Sequence, residues 1–138
     1  MRALALVVMV AACATTGEAP PDRLAGCWIA RDGSGGATTM RWLPDTERPG
    51  ALRGERLVYT AEGAGPSESY RLEPRGDRWA LCQASAEGER CWQVAQGEQG
   101  SLEGGRAFID AHSEQLRISI VGDGPERVVF QGNRDGCD

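Results

Sequence analysis

Residues that favour turns interrupt the chain at short, regular intervals from residue 25 onward. Gly, Pro, Asp or Asn recurs about every 8–12 residues, and the segments between are rich in β-branched and aromatic residues. In residues 116–120, for example, Leu and Ile alternate with Arg and Ser. A sustained 3.6-residue apolar period is lacking, apart from one helical turn at residues 21–24. This pattern is typical of an all-β sandwich or barrel.

Consecutive short strands without a helical crossover indicate an antiparallel meander, and closing the meander removes its exposed edges. We therefore predict an all-β fold, a single antiparallel up-and-down barrel of about eight to nine strands. An eight-stranded barrel either fills with side chains or holds one small ligand. The predicted strands cover residues 26–31, 37–43, 51–61, 67–73, 77–84, 89–96, 101–110, 114–121 and 126–132. The predicted turns include residues 32–36, 44–45, 63–66, 74–77 and 122–125.

The N-terminus has the features of an export signal. Arg2 supplies a positive charge, residues 3–12 are apolar, and Cys13 follows Val-Ala-Ala as in a bacterial lipobox. The apolar run is shorter than the ~20 residues that span a bilayer, but it suits a signal peptide. We therefore predict that Cys13 is acylated and becomes the mature N-terminus. Ordinary secretion is the alternative, because residues 12–14 also fit a small-x-small cleavage site.

The predicted organisation has three parts. A signal peptide covers residues 1–13, a polar flexible tether covers 14–22, and one barrel domain covers 23–138. Ala14 rather than Asp follows the lipobox cysteine, which by resemblance to Gram-negative lipoproteins favours the outer membrane, facing the periplasm. The expected location is thus the cell envelope, with the lipid anchor in a membrane; a soluble secreted or periplasmic protein is the alternative.

Cysteines other than Cys13 are even in number, which in an exported domain predicts disulfide bonds. They are Cys27, Cys82, Cys91 and Cys137. Three pairings are possible. A tight turn at residues 85–88 favours Cys82 opposite Cys91, because that register leaves one face of the hairpin apolar. Cys27 and Cys137 then remain, at the two ends of the domain. A zinc site would need tighter ligand spacing, and the chain has one His.

Composition and motifs argue against several functional classes. The net charge is −5, lysine is absent and the arginines are spread along the chain, so we expect no nucleic-acid partner. Phosphate loops, hydrolase motifs and metal-binding motifs are also absent from the sequence. The single histidine, His112, has no nucleophile at a recognisable spacing. We therefore expect a monomeric protein without catalytic activity, cofactor or metal.

Aromatic residues are the best indication of a binding site. Four tryptophans are many for so short a domain. Each ring buries about 150–250 Å², so core packing is one interpretation. An aromatic-lined pocket in a barrel mouth is the other. The predicted ligand-binding residues are Trp28, Trp42, Tyr70, Trp79 and Trp92.

The stretch Leu24-Ala25-Gly26-Cys27-Trp28 resembles the opening of a family of small bacterial lipocalin-like (calycin-type) β-barrel lipoproteins. Later parts of the chain are similar to further elements of that family's pattern: residues 42–44, 70–73, 108–112 and 116–118. The resemblance implies a lipocalin-like barrel in which an early Trp closes one end by packing against an Arg from late in the chain. Trp28 would have that role, with Arg127 or Arg134 as its partner.

These features predict a cell-envelope lipoprotein that binds a small apolar or amphipathic ligand in its barrel without catalysis. A protein-interaction module, such as an inhibitor of an envelope enzyme, is the alternative. An enzyme that uses His112 is a third hypothesis. Ligand binding requires a cavity of at least about 300 Å³, whereas an inhibitor that acts through its hairpin loops predicts a side-chain-filled barrel with an exposed apolar patch on those loops.

Overall fold

The computed structural model describes residues 20–95, 105–122 and 124–137, so Cys13 and the predicted signal peptide lie outside the described residues. In this part of the chain, nine strands form one closed barrel in sequence order. Within the described residues, no helix has the length and apolar character needed to cross a membrane. The elements are α1 Pro20–Leu24, β1 Gly26–Arg31, β2 Ala37–Pro44, β3 Leu52–Thr60, β4 Gly63–Arg75, β5 Arg78–Ser85, β6 Gly88–Val94, β7 Arg106–His112, β8 Gln115–Val121 and β9 Arg127–Asp135.

The structure confirms the all-β barrel, but one predicted turn is misplaced. Residues 63–66 belong to β4, and the β3–β4 hairpin turns two residues earlier, at Ala61 and Glu62. Gly63 closes that turn with φ of 119°, a value that glycine adopts without a steric penalty. Pro66 lies where the β3–β4 register shifts, and a bulge tolerates a residue that lacks an N–H donor.

One strand pair departs from the predicted antiparallel order. β6 and β7 run parallel and pair only through Gln93 with Arg106 and Val94 with Ala107. The other neighbouring pairs of the barrel are antiparallel. A two-residue hairpin forces antiparallel pairing, whereas the longer connection over residues 95–105 permits the parallel arrangement.

The two ends of the barrel differ. We call the end that carries α1 and the β4–β5 and β7–β8 hairpins the closed end. The opposite end, with the β1–β2, β3–β4 and β5–β6 hairpins, is the open end. The core is made of Leu24, Trp28, Met40, Trp42, Leu52, Tyr70, Leu72, Leu81, Trp92, Val94, Ala107, Ala111, Leu116, Ile118, Ile120, Val129 and Phe130. Side chains therefore fill much of the barrel.

Trp28 seals the closed end. Its side chain is 1% exposed, and its indole Nε1 donates a hydrogen bond of 2.9 Å to the carbonyl oxygen of Leu24, the last residue of α1. The guanidinium carbon of Arg134 lies 4.2 Å from the centre of the Trp28 ring. Of the two arginines expected as its partner, Arg134 therefore holds the position, and Arg127 lies at the open end.

The stretch from Leu24 to Trp28 has a structural explanation in this contact. Arg134 donates hydrogen bonds of 3.3 Å to the carbonyl oxygens of Ala25 and Arg23. Gly26 has φ of 126°, and a Cβ there would lie 2.9 Å from Nη1 of Arg134. Glycine is therefore needed for the backbone angle, which L side chains rarely adopt, whereas the flexible end of the Arg134 side chain can move away from a Cβ.

Two disulfide bonds brace the described part of the chain. Cys27 and Cys137 join the start of β1 to the residues after β9, with a Cα–Cα distance of 5.4 Å. Cys82 and Cys91 are directly opposite each other in β5 and β6, with a Cα–Cα distance of 4.0 Å. This is the pairing that the strand geometry favoured, and the register places Leu81 opposite Trp92 on the inner face.

A cluster of charges covers the outer face beside Cys82 and Cys91. The carboxylate of Glu73 lies 2.8 Å from Arg71, 2.8 Å from Arg75 and 2.9 Å from Arg48. Burial would raise the pKa of Glu73, but hydrogen bonds from Arg75, Arg71 and Arg48 lower it to about 2. The carboxyl group thus binds its proton less readily in the folded protein than its ordinary pKa of 4.5 allows.

Acid is expected to remove the stabilisation by Glu73. A lowered folded-state pKa contributes stability that is fully present above pH 4.5 and is lost as the pH falls toward 2. Because Arg48 and Arg75 are more than half exposed, we expect about 1 kcal/mol after screening. Urea unfolding between pH 2 and 7 would show a smaller acid-dependent loss for Glu73→Gln than for the wild type. Glu55→Gln on β3 is the control, and an unchanged pH profile of Glu73→Gln would contradict the assignment.

Candidate binding site at the open end of the barrel

A solvent-open cleft of about 600 Å³ lies at the open end. This volume exceeds the ~300 Å³ lower bound of small-molecule sites. Trp92 and Ile120 form its apolar floor, at 7% and 4% exposure. The lining residues are Gln83, Ser85, Ala86, Glu87, Arg90, Trp92, Ile120, Gly122, Pro125 and Arg127.

Strand register brings the polar side chains of the cleft to the inner face. Gln83 is opposite Arg90 in the β5–β6 hairpin, two residues along from the Leu81–Trp92 pair, so all four share a face. Arg127 joins them because the β8–β9 register shifts after Ile118 and places Arg127 opposite Ile120. Without that shift, alternation along β9 would give a different inward set.

Arg90 and Arg127 both lie against the indole of Trp92. Their guanidinium carbons are 5.4 Å and 6.0 Å from the centre of the ring, within the range of cation–π attraction. Nη2 of Arg127 also donates a hydrogen bond of 3.3 Å to Oε1 of Gln83. Among the described residues, neither guanidinium has a carboxylate within 4.0 Å. Both are exposed, so the cleft presents two cations that lack an anionic partner in this part of the chain.

A second cluster of polar side chains, made of Arg56, Glu68 and Tyr70, lies on β3 and β4. The hydroxyl of Tyr70 donates a hydrogen bond of 2.7 Å to Glu68, and Nη1 of Arg56 lies 3.6 Å from the same carboxylate oxygen. Nε of Arg56 donates to the carbonyl of Val129 at 2.8 Å. Burial and the bond to Glu68 raise the pKa of Tyr70, although the charges of Arg127 and Arg56 oppose the rise. Tyr70 therefore keeps its proton, and Arg56 and Glu68 neutralise each other.

The structure does not gather the five predicted ligand-binding residues into one site. Trp92 lines the cleft. Trp28 is at the closed end, and Trp42 is buried in the core with its ring centre 6.5 Å from that of Tyr70. Trp79 is half-buried and packs against the core. A binding role for these residues stays a prediction.

Trp42 has a feature that packing does not explain. Its Nε1 is buried and has no hydrogen-bond partner in the described part of the chain. A Cβ at Gly54 would lie 2.6 Å from the indole, so the ring occupies the space above this glycine. Buried polar atoms are nearly always hydrogen-bonded, and the structure shows no reason for this exception.

The sequence did not indicate Gln83, Arg90 or Arg127 as ligand-binding residues, and Arg127 was expected only as a possible partner of Trp28. The predicted pairing of Cys82 with Cys91 already places Gln83 opposite Arg90 on the face of Trp92, so this part of the site was open to prediction. Arg127 was not, because its inward position depends on the irregular register of β9.

Other reactive side chains lie away from the cleft. His112 Nδ1 lies 2.7 Å from Oδ1 of Asp110, and the two side chains are 66% and 67% exposed in the β7–β8 hairpin region at the closed end. Ligand atoms of Cys82, Glu89 and Cys91 lie within 4.8 Å of one another. However, the two sulfur atoms are joined in a disulfide bond and are not thiolates that could bind a metal.

Comparisons with protein-family models, with curated proteins and with solved structures found no match to this chain. The closed barrel of nine strands is consistent with a lipocalin-like architecture. The chemistry of the cleft is therefore the basis for a functional proposal.

Proposed function

We propose that this chain is an exported, lipocalin-like lipoprotein that binds a small amphipathic molecule at the open end of its barrel, without catalysis. The observation that carries the proposal is the cleft of about 600 Å³, with an apolar floor at Trp92 and Ile120 and a polar rim. Such concave sites with a few polar groups are the usual form of small-molecule sites. At the closed end of the described barrel, Trp28 and Arg134 close the interior, and the pocket of about 320 Å³ beside Arg134 is lined mainly by polar side chains.

Export is supported by two independent features. Cys13 ends a lipobox-like stretch, and the two disulfide bonds are of the kind that persists in oxidising compartments. Acylation at Cys13 would anchor the protein to a membrane, and the envelope would then supply amphipathic ligands.

The packed core limits how deeply a ligand enters. Large side chains such as Met40, Leu72 and Leu81 are fully buried in the middle of the barrel. We therefore propose that the apolar part of the ligand rests on Trp92 and Ile120, while its polar part faces the rim.

The alternative function is a protein-interaction module, such as an inhibitor of an envelope enzyme. A patch on the outer face supports it, since Phe108 and Val128 are 40% and 46% exposed. Phe108 on β7 and Val128 on β9 are the two cross-strand neighbours of Ser119 on β8. The patch is made of strand residues rather than the hairpin loops expected of such a module.

Replacement of Trp92 by alanine is expected to weaken ligand binding about tenfold, because the ring is the largest apolar surface of the cleft. The neutral fluorophore N-phenyl-1-naphthylamine can measure this on the full chain with Cys13→Ser, to which no acyl chain can attach at residue 13. Phe108→Ala, which removes an exposed aromatic ring outside the cleft lining, is the matched control and should leave the affinity unchanged.

Native mass spectrometry of the same protein from an oxidising periplasm complements the titration. We expect an excess on the order of a few hundred daltons, the size of a small amphiphile, that denaturation releases. A bare mass together with no binding of the fluorophore would exclude the proposal and favour the interaction module.

A further inference from the structure

Two arginines lie together in the cleft of this acidic protein, and neither has a carboxylate within 4.0 Å among the described residues. The chain has a net charge of −5. Several arginines elsewhere are neutralised by carboxylates: Arg48, Arg56, Arg71, Arg75 and Arg117. In the cleft, by contrast, Arg90 and Arg127 are held against Trp92, and the only carboxylate among the lining residues is that of the exposed Glu87.

The geometry leaves both guanidiniums able to bind an anion. Stacking on an aromatic ring holds the cation without using its N–H donors. Arg127 donates one bond to Gln83, and a guanidinium carries five N–H donors in all. Planar donor pairs of this kind match the paired oxygens of a carboxylate or a phosphate.

The polar and apolar parts of the cleft are adjacent. Trp92 is both the ring on which the arginines rest and part of the buried floor beside Ile120. A ligand with an anionic group joined to an apolar body would therefore contact both parts at once. A cationic amphiphile would meet two like charges, and a neutral one would leave the guanidinium donors to water.

We infer that the ligand of this cleft is an anionic amphiphile, whose carboxylate or phosphate is bound by Arg90 and Arg127 and whose apolar body covers Trp92 and Ile120. The inference rests on the proposed function, because it specifies the chemistry of the molecule bound at the same site.

Competition between amphiphiles that share a chain length but differ in head-group charge tests whether the cleft prefers an anionic head group. The full chain with Cys13→Ser is loaded with N-phenyl-1-naphthylamine and titrated with decanoate, decyl phosphate, decanol and decyltrimethylammonium, each below its micelle concentration. We expect decanoate or decyl phosphate to compete at least tenfold better than decanol, and the cation to compete least. Raising the salt concentration should reduce this advantage, because ions screen exposed charges.

Substitution of the two arginines tests the residues. In the double variant that carries both Arg90→Gln and Arg127→Gln, the affinity for the preferred anion should fall at least tenfold, while the affinity for decanol should change less than twofold. Arg53→Gln, an exposed arginine on the outer face of β3, is the matched control and should change neither. Far-UV circular dichroism establishes that the variants are folded, and the salt dependence of the unsubstituted protein tests the charge independently.

The outcomes distinguish a failure of the anionic-ligand inference from a failure of the proposed binding function. A preference for either anion over decanol supports the inference and identifies the head group. Equal competition by decanoate, decyl phosphate and decanol would overturn it and leave the proposed function standing. Competition by acetate or inorganic phosphate alone as strong as that of the decyl anions would overturn the amphiphilic part. If neither the fluorophore nor any decyl compound binds, the proposed function fails as well.

Discussion

Replacing Trp28 with alanine is expected to lower the free energy of unfolding by about 3–5 kcal/mol. The ring is 1% exposed and plugs the closed end, so its removal leaves a cavity where α1 meets the barrel. The substitution also removes the 2.9 Å hydrogen bond to the carbonyl of Leu24 and the stacking of Arg134 at 4.2 Å. Urea unfolding monitored by far-UV circular dichroism measures the loss.

Trp79→Ala is the matched control for this prediction, because Trp79 is only partly buried against the same core. We expect it to cost less than half as much as Trp28→Ala. Trp28→Phe keeps most of the ring but removes the indole donor, so it should cost about 1 kcal/mol for the lost hydrogen bond, plus a small packing loss. Equal losses for Trp28→Ala and Trp79→Ala would show that Trp28 is not the plug of the closed end.

Removal of the disulfide between Cys27 and Cys137 is the second large effect that we expect. The two cysteines are 110 residues apart in sequence, whereas Cys82 and Cys91 are 9 apart. In the chain-entropy treatment, closing these loops stabilises the folded state by about 5 kcal/mol and about 2.5 kcal/mol, respectively. Replacing Cys27 and Cys137 by alanine should thus cost about twice as much as replacing Cys82 and Cys91.

Guanidinium unfolding of the two double-alanine variants measures the difference directly. Each variant keeps the other disulfide bond and serves as its control. Each loses both partners of one bond, so no unpaired thiol is left behind. A larger loss for the Cys82 and Cys91 variant would contradict the loop-closure treatment and would point to the contacts of Arg75 with these two sulfur atoms.

Local features of the fold were predictable from the sequence. The first strand, predicted over residues 26–31, is β1 without change, because a short run with aromatic and β-branched residues that is followed by turn residues specifies a strand locally. The pairing of Cys82 with Cys91 followed from a tight turn and one apolar face, which involve only neighbouring residues.

Contacts between distant parts of the chain were harder to predict from the sequence. The choice of Arg134 over Arg127 as the partner of Trp28 depends on where β9 begins and how it pairs with β1. The parallel pairing of β6 with β7 depends on the path of the chain between them, which periodicity does not encode.

The residues of the candidate site likewise divide into those that local sequence patterns predict and those that only the fold brings together. The sequence by itself determined a strand-rich chain, and it favoured the pairing of Cys82 with Cys91 that places Trp92 opposite Leu81, because alternation and turn chemistry act over a few residues. Only the tertiary structure decided that one end is plugged and the other open, and that Arg127 as well as Arg90 lies against the ring of Trp92. Barrel closure and the register shift in β9 bring together residues from separate strands, and alternation within one strand does not specify such contacts.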